Sequence, residues 1–292
     1  MLYDLTLHIG YIYDVPASGS HHILRLLPLS LPERQRLVAG SVKIEPHPDE
    51  TSNFTDFFHH PATYIMLRAP HEKLDIRMQA RVMVQPQPLT ADFSPLLEKL
   101  PEELADYWSA EPGSPHHFLG ASPRLGEVPE IAAYARKDLK SGLTVHQIAE
   151  KICARIHADF KYDSSATTVD TTPAEAFALK RGVCQDFAHV MIIALRSLGI
   201  PAGYVSGFLR TIPPPGKERL EGADAMHAWV RIWCGETTGW IELDPTNNIA
   251  VSSDHVVVAY GRDYSDVAPV IGVLKSYGTH QTAQSVDVVP VK

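Results

Sequence analysis

The stretch from Gly182 to Pro201 constrains this chain more than any other. Residues 185–198 (Gln-Asp-Phe-Ala-His-Val-Met-Ile-Ile-Ala-Leu-Arg-Ser-Leu) are strongly apolar. They end at Gly199, which suits the left-handed position after a helix, and Pro201 lies just beyond. The pattern predicts one helix. Before it, Lys180-Arg-Gly-Val-Cys184 turns at Gly182 and sets Cys184 at the helix start. Unpaired N–H groups and the helix dipole favour negative charge there, which suits a thiolate nucleophile. A lone cysteine is more often a small buried hydrophobe. The polar or permissive neighbours Gly182, Gln185 and Asp186 favour a cleft instead. Asp186, in the first turn, reads as a partner for the dipole rather than a catalytic group.

Three strands are expected after the helix, over 202–210, 227–234 and 240–244. In the second, His227, Trp229, Arg231 and Trp233 alternate with Ala228, Val230 and Ile232. In the third, Trp240, Glu242 and Asp244 alternate with Ile241 and Leu243. The apolar parities must share the core face, which leaves the polar parities together on the other. A hairpin through 234–239 that sets Asp244 directly across from His227 would pair Glu242 with Trp229 and Trp240 with Arg231. Facing Cβ atoms are about 5 Å apart, so an imidazole N–H reaches a carboxylate. A facing His/Asp pair alone would read as a surface ion pair. Together with a cysteine at a helix N-terminus it reads as a thiol acyl-transfer site: Cys184 the nucleophile, His227 the base and then the acid, Asp244 the orienting carboxylate.

The rest of the chain sets the frame. Residues 2–13 alternate, with Asp4, Thr6 and His8 against Leu5, Leu7 and Ile9, before a Pro-Ala-Ser-Gly-Ser turn cluster. Further strands are expected over 22–28, 41–45, 63–67 and 74–84. Pro86-Gln-Pro88 reads as a stiff linker. The expected organisation is a β-rich N-terminal domain (1–88), a connecting region of helices and loops (89–143), and an α+β core (144–292). Ser94-Pro95 and Thr172-Pro173-Ala-Glu175 carry helix-capping signals, and Thr144-Val-His-Gln147 is a capping box. Ile148, Ile152 and Ile156 then give a helix over 145–158 its buried face. Loops are expected at 111–129, 213–216 and 218–224.

Composition excludes several functions. With 26 basic against 34 acidic residues, net −8, the chain has no basic stripe for nucleic acid. Its longest apolar run, 190–195, is far short of the ~18 residues that span a bilayer, and residues 1–5 lack the pattern of a secretory signal. Cys153, Cys184 and Cys234 are an odd, sparse set, so no disulfide framework is expected and a cytoplasmic setting is. The doublets His21-His22, His59-His60 and His116-His117 point to opposite faces of any strand that holds them. No metal, structural zinc or cofactor is expected.

Four blocks occur in order: Gly182-Val-Cys-Gln-Asp-Phe-Ala188, Leu195-Arg-Ser-Leu-Gly-Ile-Pro-Ala202, Asp224-Ala-Met-His-Ala-Trp229 and Trp240-Ile-Glu-Leu-Asp-Pro-Thr246. They resemble the transglutaminase-like superfamily core, which is similar to papain-like thiol proteases in fold and carries Cys, His and Asp in this chain order. Residues around Leu24-Arg-Leu26, and the tail 259–266, resemble bacterial members with an N-terminal β-rich domain. The resemblance implies a cysteine helix packed on an antiparallel sheet that carries His227 and Asp244. Its members include crosslinkers, peptidases, amidases and inactive forms. Animal members need calcium, but the acidic run 218–224 reads as a solvated loop.

The expected activity is therefore a cysteine enzyme cleaving a peptide or protein amide through a thioester, with no nucleic-acid or membrane partner. Hydrolysis is favoured because nothing in the sequence marks a second, amine-binding cleft. The alternatives are an amine-accepting transglutaminase, acyl transfer from a thioester donor, and a catalytically silent binding scaffold. The oxyanion is assigned to the backbone N–H of Cys184, with Gln185 as a possible helper. Trp229 and Trp233 are candidates for the cleft wall. Tyr260, Arg262, Asp263 and Tyr264 are candidates for its rim.

Overall fold

The computed structural model describes residues 1–87, 91–137, 139–211 and 224–291. The expected loop at 213–216, most of the run 218–224, and Pro88 at the end of the expected linker lie outside them. The chain begins with β1 (Leu2–Leu24), β2 (Gln35–Glu45), β3 (Glu50–Thr55), β4 (Pro61–Leu67) and β5 (His71–Val84). Next come α1 (Leu100–Asp106), α2 (Pro129–Arg136), α3 (Val145–Asp159), β6 (Lys161–Tyr162), α4 (Pro173–Leu179), β7 (Arg181–Gly182) and α5 (Cys184–Arg196). The last part is β8 (Ala202–Leu209), β9 (Ala225–Trp233), α6 (Gly235–Thr238), β10 (Trp240–Asp244), β11 (Ile249–Ala250), β12 (His255–Gly261), α7 (Tyr264–Val267), β13 (Val270–Lys275) and β14 (His280–Pro290).

The first sheet runs β2-β5-β1-β4-β3, with β13 and β14 also paired to β1. Alternation does what it should: Tyr3, Leu5, Leu7 and Ile9 are buried, and the residues between them are not. The expected turn at 16–20 is instead an irregular step inside β1, where the register with β5 shifts between Ile12 and Ala17 and Gly19 adopts a φ of +53°. Strand β3 has no apolar alternation and is exposed throughout, which is why the sequence hides it. The tail, expected within the core, closes back on β1 instead, with Val288 opposite Leu5 and Val286 opposite Leu7. Burial of both valines on that sheet is the driving force.

The second sheet runs β11-β10-β9-β8-β12, antiparallel throughout. Helix α5 packs on β9 and β8, with α2, α3 and α4 around it. The expected architecture, a cysteine helix on an antiparallel sheet behind a β-rich N-terminal region, is what forms. The capping boxes at Thr144 and Thr172 open α3 and α4. Ser94 opens no helix; its hydroxyl donates to Asp92 and accepts the amide of His146, and a short 3-10 turn begins at Leu97 instead.

Segment 25–36 clamps the two sheets together. The Leu29 amide donates to Val257 O at 3.0 Å. The Gln35 amide donates to Leu29 O and Val257 O at 2.8 and 2.7 Å and accepts Val257 N–H at 2.8 Å. These bonds hold the segment along the β12 edge, and Leu29 packs with Val205, Trp229 and Val257 in a cluster separate from the α5 side of the sheet.

Candidate active site

Cys184 is the first residue of α5 and is partly exposed. Its amide has no partner within the helix, as at any helix start. The Asp186 carboxylate caps the same turn, accepting from Val183 N at 2.8 Å and Thr167 Oγ1 at 2.7 Å. Gly182 is needed beside it, since a Cβ there would lie 2.3 Å from Asp186 Oδ2. Asp186 therefore shapes the turn that presents the thiol, and burial pushes its own carboxyl up.

His227 and Asp244 meet, though in a different register from the expected one. Strands β9 and β10 pair Trp240 with Trp233, Glu242 with Arg231 and Leu243 with Val230. That register lies two residues from the expected one. The reason is the connection: α6 fills it, and Cys234 N–H closes on Gly239 O at 2.8 Å. A two-residue slip keeps every side chain on its face. His227 and Asp244 become diagonal neighbours, a gap an imidazole spans. His227 Nε2 donates to Asp244 Oδ2 at 2.8 Å, and both side chains are buried.

The imidazole is also close enough to Cys184 for the thiol to raise its proton affinity. With Nε2 committed to Asp244, Nδ1 is the ring nitrogen left for the thiol. Burial pushes the proton affinity of His227 down, but Asp244 and Cys184 outweigh it and raise its pKa to about 10. Asp244 is completely buried and accepts five hydrogen bonds. Oδ1 takes Thr246 N–H at 2.9 Å and Asn247 N–H at 3.2 Å. Oδ2 takes His227, Asn247 Nδ2 at 2.6 Å, and His255 Nε2 at 3.3 Å. Burial pushes this carboxyl up, yet the donors hold it far below the usual carboxylate range.

The other expected site residues lie elsewhere. Gln185 points its amide at Val169 O, 3.2 Å away. Trp229 is fully buried and lines no cleft; its Nε1 donates to Glu242 Oε2 at 2.6 Å. Its face of the sheet was expected to be open, but segment 25–36 covers it. Glu242 there also accepts both guanidinium nitrogens of Arg34, and Tyr260 OH at 2.9 Å. Tyr260 is thus part of this buried network. Asp263 is fully buried and caps α7 through Ser265 N–H at 2.8 Å, and Arg262 pairs with Asp266 at 2.9 Å. Trp233 packs edge-on to Tyr107.

Sequence reasoning missed His255, Arg34 and Gly207. Gly207 carried a readable signal, a glycine in the middle of an apolar strand. A Cβ there would lie 2.1 Å from Val256 O and 2.4 Å from the Trp229 ring, so only glycine lets Trp229 lie across β8. His255 had no local signal, because β8 separates its strand from β9 in the sheet order. The other two thiols are inert: burial pushes Cys153 up to about 12 and Cys234 higher still.

Among the described residues, one trio has its ligand atoms within 4.8 Å of one another: His227, Asp244 and His255. The three are joined by hydrogen bonds through Asp244 Oδ2. The Ser252 amide donates to His255 Nδ1 at 3.4 Å, so His255 Nε2 carries the proton that Asp244 receives. No helix among the described residues is long and apolar enough to cross a membrane.

Comparison with known proteins agrees with this geometry. Residues 131–245 match the transglutaminase-like superfamily model, and residues 3–83 match the bacterial transglutaminase-like N-terminal region. The uncharacterized protein Rv2569c of Mycobacterium tuberculosis is 36% identical over 266 residues, covering 88% of this chain and 83% of the relative. A protein-glutamine gamma-glutamyltransferase of Pseudomonas aeruginosa is 35% identical over 97 residues, 32% of this chain and 14% of that protein. In fold, the chain is similar to the crystal structure of a proposed cysteine protease from Cytophaga hutchinsonii, with a TM-score of 0.73 at 20% identity over 99% of this chain and 91% of the other. The four motif blocks, the sheet they build and these matches agree: the chain belongs to the transglutaminase-like superfamily, with a bacterial transglutaminase-like region at its N-terminus.

Proposed function

We propose that this protein is a thiol hydrolase of peptide or protein amides, with Cys184 as nucleophile, His227 as base and acid, and Asp244 as orienting carboxylate. One observation carries the reading. A buried imidazole bonds to a fully buried carboxylate 2.8 Å away and lies close enough to a helix-start thiol for that thiol to raise its proton affinity. The raised proton affinity of His227 keeps the imidazole protonated at neutral pH, the charge state that partners a thiolate.

In the first half-reaction, Cys184 Sγ attacks the amide carbon and the oxyanion forms against the Cys184 N–H. His227 Nδ1 hands its proton to the departing amine, leaving a thioester on Cys184. Water then attacks the thioester, one of its protons passes to His227 Nδ1, and the acid departs as the C–S bond breaks and restores the Cys184 thiolate beside the imidazolium. Asp244 holds Nε2–H, which fixes the tautomer and supports the imidazolium. An amine in place of water would make the same site a transglutaminase, the activity named for the Pseudomonas relative. The three free thiols fit a reducing cytoplasm.

The test is a screen of peptides and amides with the adduct weighed on Cys184. An acyl mass on Cys184 that turns over in water is expected. Amide cleavage undiminished in Cys184→Ala would overturn the reading. So would iodoacetamide alkylation of Cys184 at an equal rate in His227→Ala, which is the outcome a silent scaffold gives.

A further inference from the structure

We propose that His255 is a positioning residue that shares the Asp244 carboxylate with His227 and so tempers the pull of that carboxylate on the imidazole facing Cys184. The inference rests on the triad reading above and extends it to a second imidazole.

The two rings address the same oxygen. Asp244 Oδ2 accepts His227 Nε2 at 2.8 Å and His255 Nε2 at 3.3 Å. His255 comes from β12, at the far edge of the sheet from β10 and β11, and is buried. Two contacts fix its ring. Ser252 N–H occupies Nδ1, leaving the proton on Nε2, and Trp229 packs edge-on at 5.1 Å with planes 77° apart. The charged and titratable groups facing it are Asp244 from β10 and His227 from β9, whose ring centroid is 6.1 Å away.

Asp244 does not need His255 to stay in place. Thr246, Asn247 N–H and Asn247 Nδ2 already hold it from its own turn. A further donor at Oδ2 instead competes for the electron density that supports the His227 proton. A carboxylate with fewer donors is the stronger base toward those that remain. Removing the His255 N–H therefore raises the proton affinity of His227.

The test follows iodoacetamide alkylation of Cys184 against pH, peptide-resolved by mass spectrometry, in wild type, His255→Phe, His255→Gln and His227→Ala. The alkaline step in rate reports loss of the His227 proton. His255→Phe keeps the edge contact with Trp229 and has no donor, so its step moves up by about half a pH unit or more. His255→Gln offers an amide N–H and returns the step toward wild type. A step unchanged in His255→Phe, or moved down, overturns the proposal. Loss of the step in His227→Ala is expected. Its persistence there overturns the triad reading and is distinguishable from a failure confined to His255. Nitrogen NMR of wild-type imidazoles keeps the idea falsifiable if His255→Phe does not fold. The Nε2–H tautomer is expected at His255, and an Nδ1–H tautomer would refute the shared oxygen.

Discussion

Replacing Arg34 by methionine strips the buried Glu242 carboxylate of its only direct cationic partner among the described residues. Glu242 is 6% exposed at its side chain and accepts both Arg34 nitrogens, Tyr260 OH at 2.9 Å and Trp229 Nε1 at 2.6 Å. Breaking a buried ion pair costs about 3–5 kcal/mol, because the remaining charge stays buried. The Trp and Tyr donors remain. Arg231, stacked 4.2 Å over Trp240, also acts on Glu242 at longer range. The expected cost is therefore at the low end, about 3 kcal/mol, or on the order of a hundredfold in the unfolding equilibrium.

Adding Glu242→Gln to Arg34→Met removes the stranded charge and should recover about 2 kcal/mol, a coupling that a double-mutant cycle isolates. Urea denaturation followed by tryptophan fluorescence is the assay, since Trp229 bonds directly to Glu242. Burial pushes the Glu242 carboxyl up, but Arg34 outweighs it and holds it below its ordinary 4.5. The pair's contribution is thus present above that value and fades as pH falls through the lower folded one. An Arg34→Met cost under about 1 kcal/mol at pH 7, or a double variant whose cost is the sum of the singles, would refute this account of how segment 25–36 is held on the sheet.

Three further outcomes are expected. Asp244→Asn exchanges a five-fold acceptor for an amide and should slow Cys184 alkylation at neutral pH at least about tenfold, with His227 titrating nearer its ordinary 6.5 by NMR. His22 is buried with neither ring nitrogen bonded among the described residues, and burial lowers its pKa to about 4. The unfolded chain binds that proton first, so stability falls as pH drops from about 6.5 to about 4, by about 3 kcal/mol; urea midpoints of His22→Phe across this range should lose that part of the slope. Gly207→Ala drives a methyl into Val256 O and the Trp229 ring, and its soluble, cooperatively melting fraction should drop sharply; a melt like that of wild type would refute the close packing.

The legible parts of the site were those carried by local chemistry. The polar turn before an apolar helix put Cys184 at a helix start. The parity of 227–233 and 240–244 put His227 and Asp244 on one face, and parity survives a two-residue slip. The register itself was not legible, because it depends on how 234–239 closes, which neither strand encodes. Trp229 shows the same limit. Its strand position was right, but whether its face meets solvent depends on Leu29, Arg34 and Gln35, nearly two hundred residues away.

By itself the sequence determined which chemical groups stand at which helix end and strand face, since capping, helix periodicity and strand alternation act between residues a few positions apart. The tertiary structure alone decided that β13 and β14 return to β1, that segment 25–36 seals the sheet behind Trp229, and that a second imidazole reaches Asp244. Those contacts join segments far apart in the chain through buried area and hydrogen-bond satisfaction, and no short-range pattern records which distant surface supplies the partner.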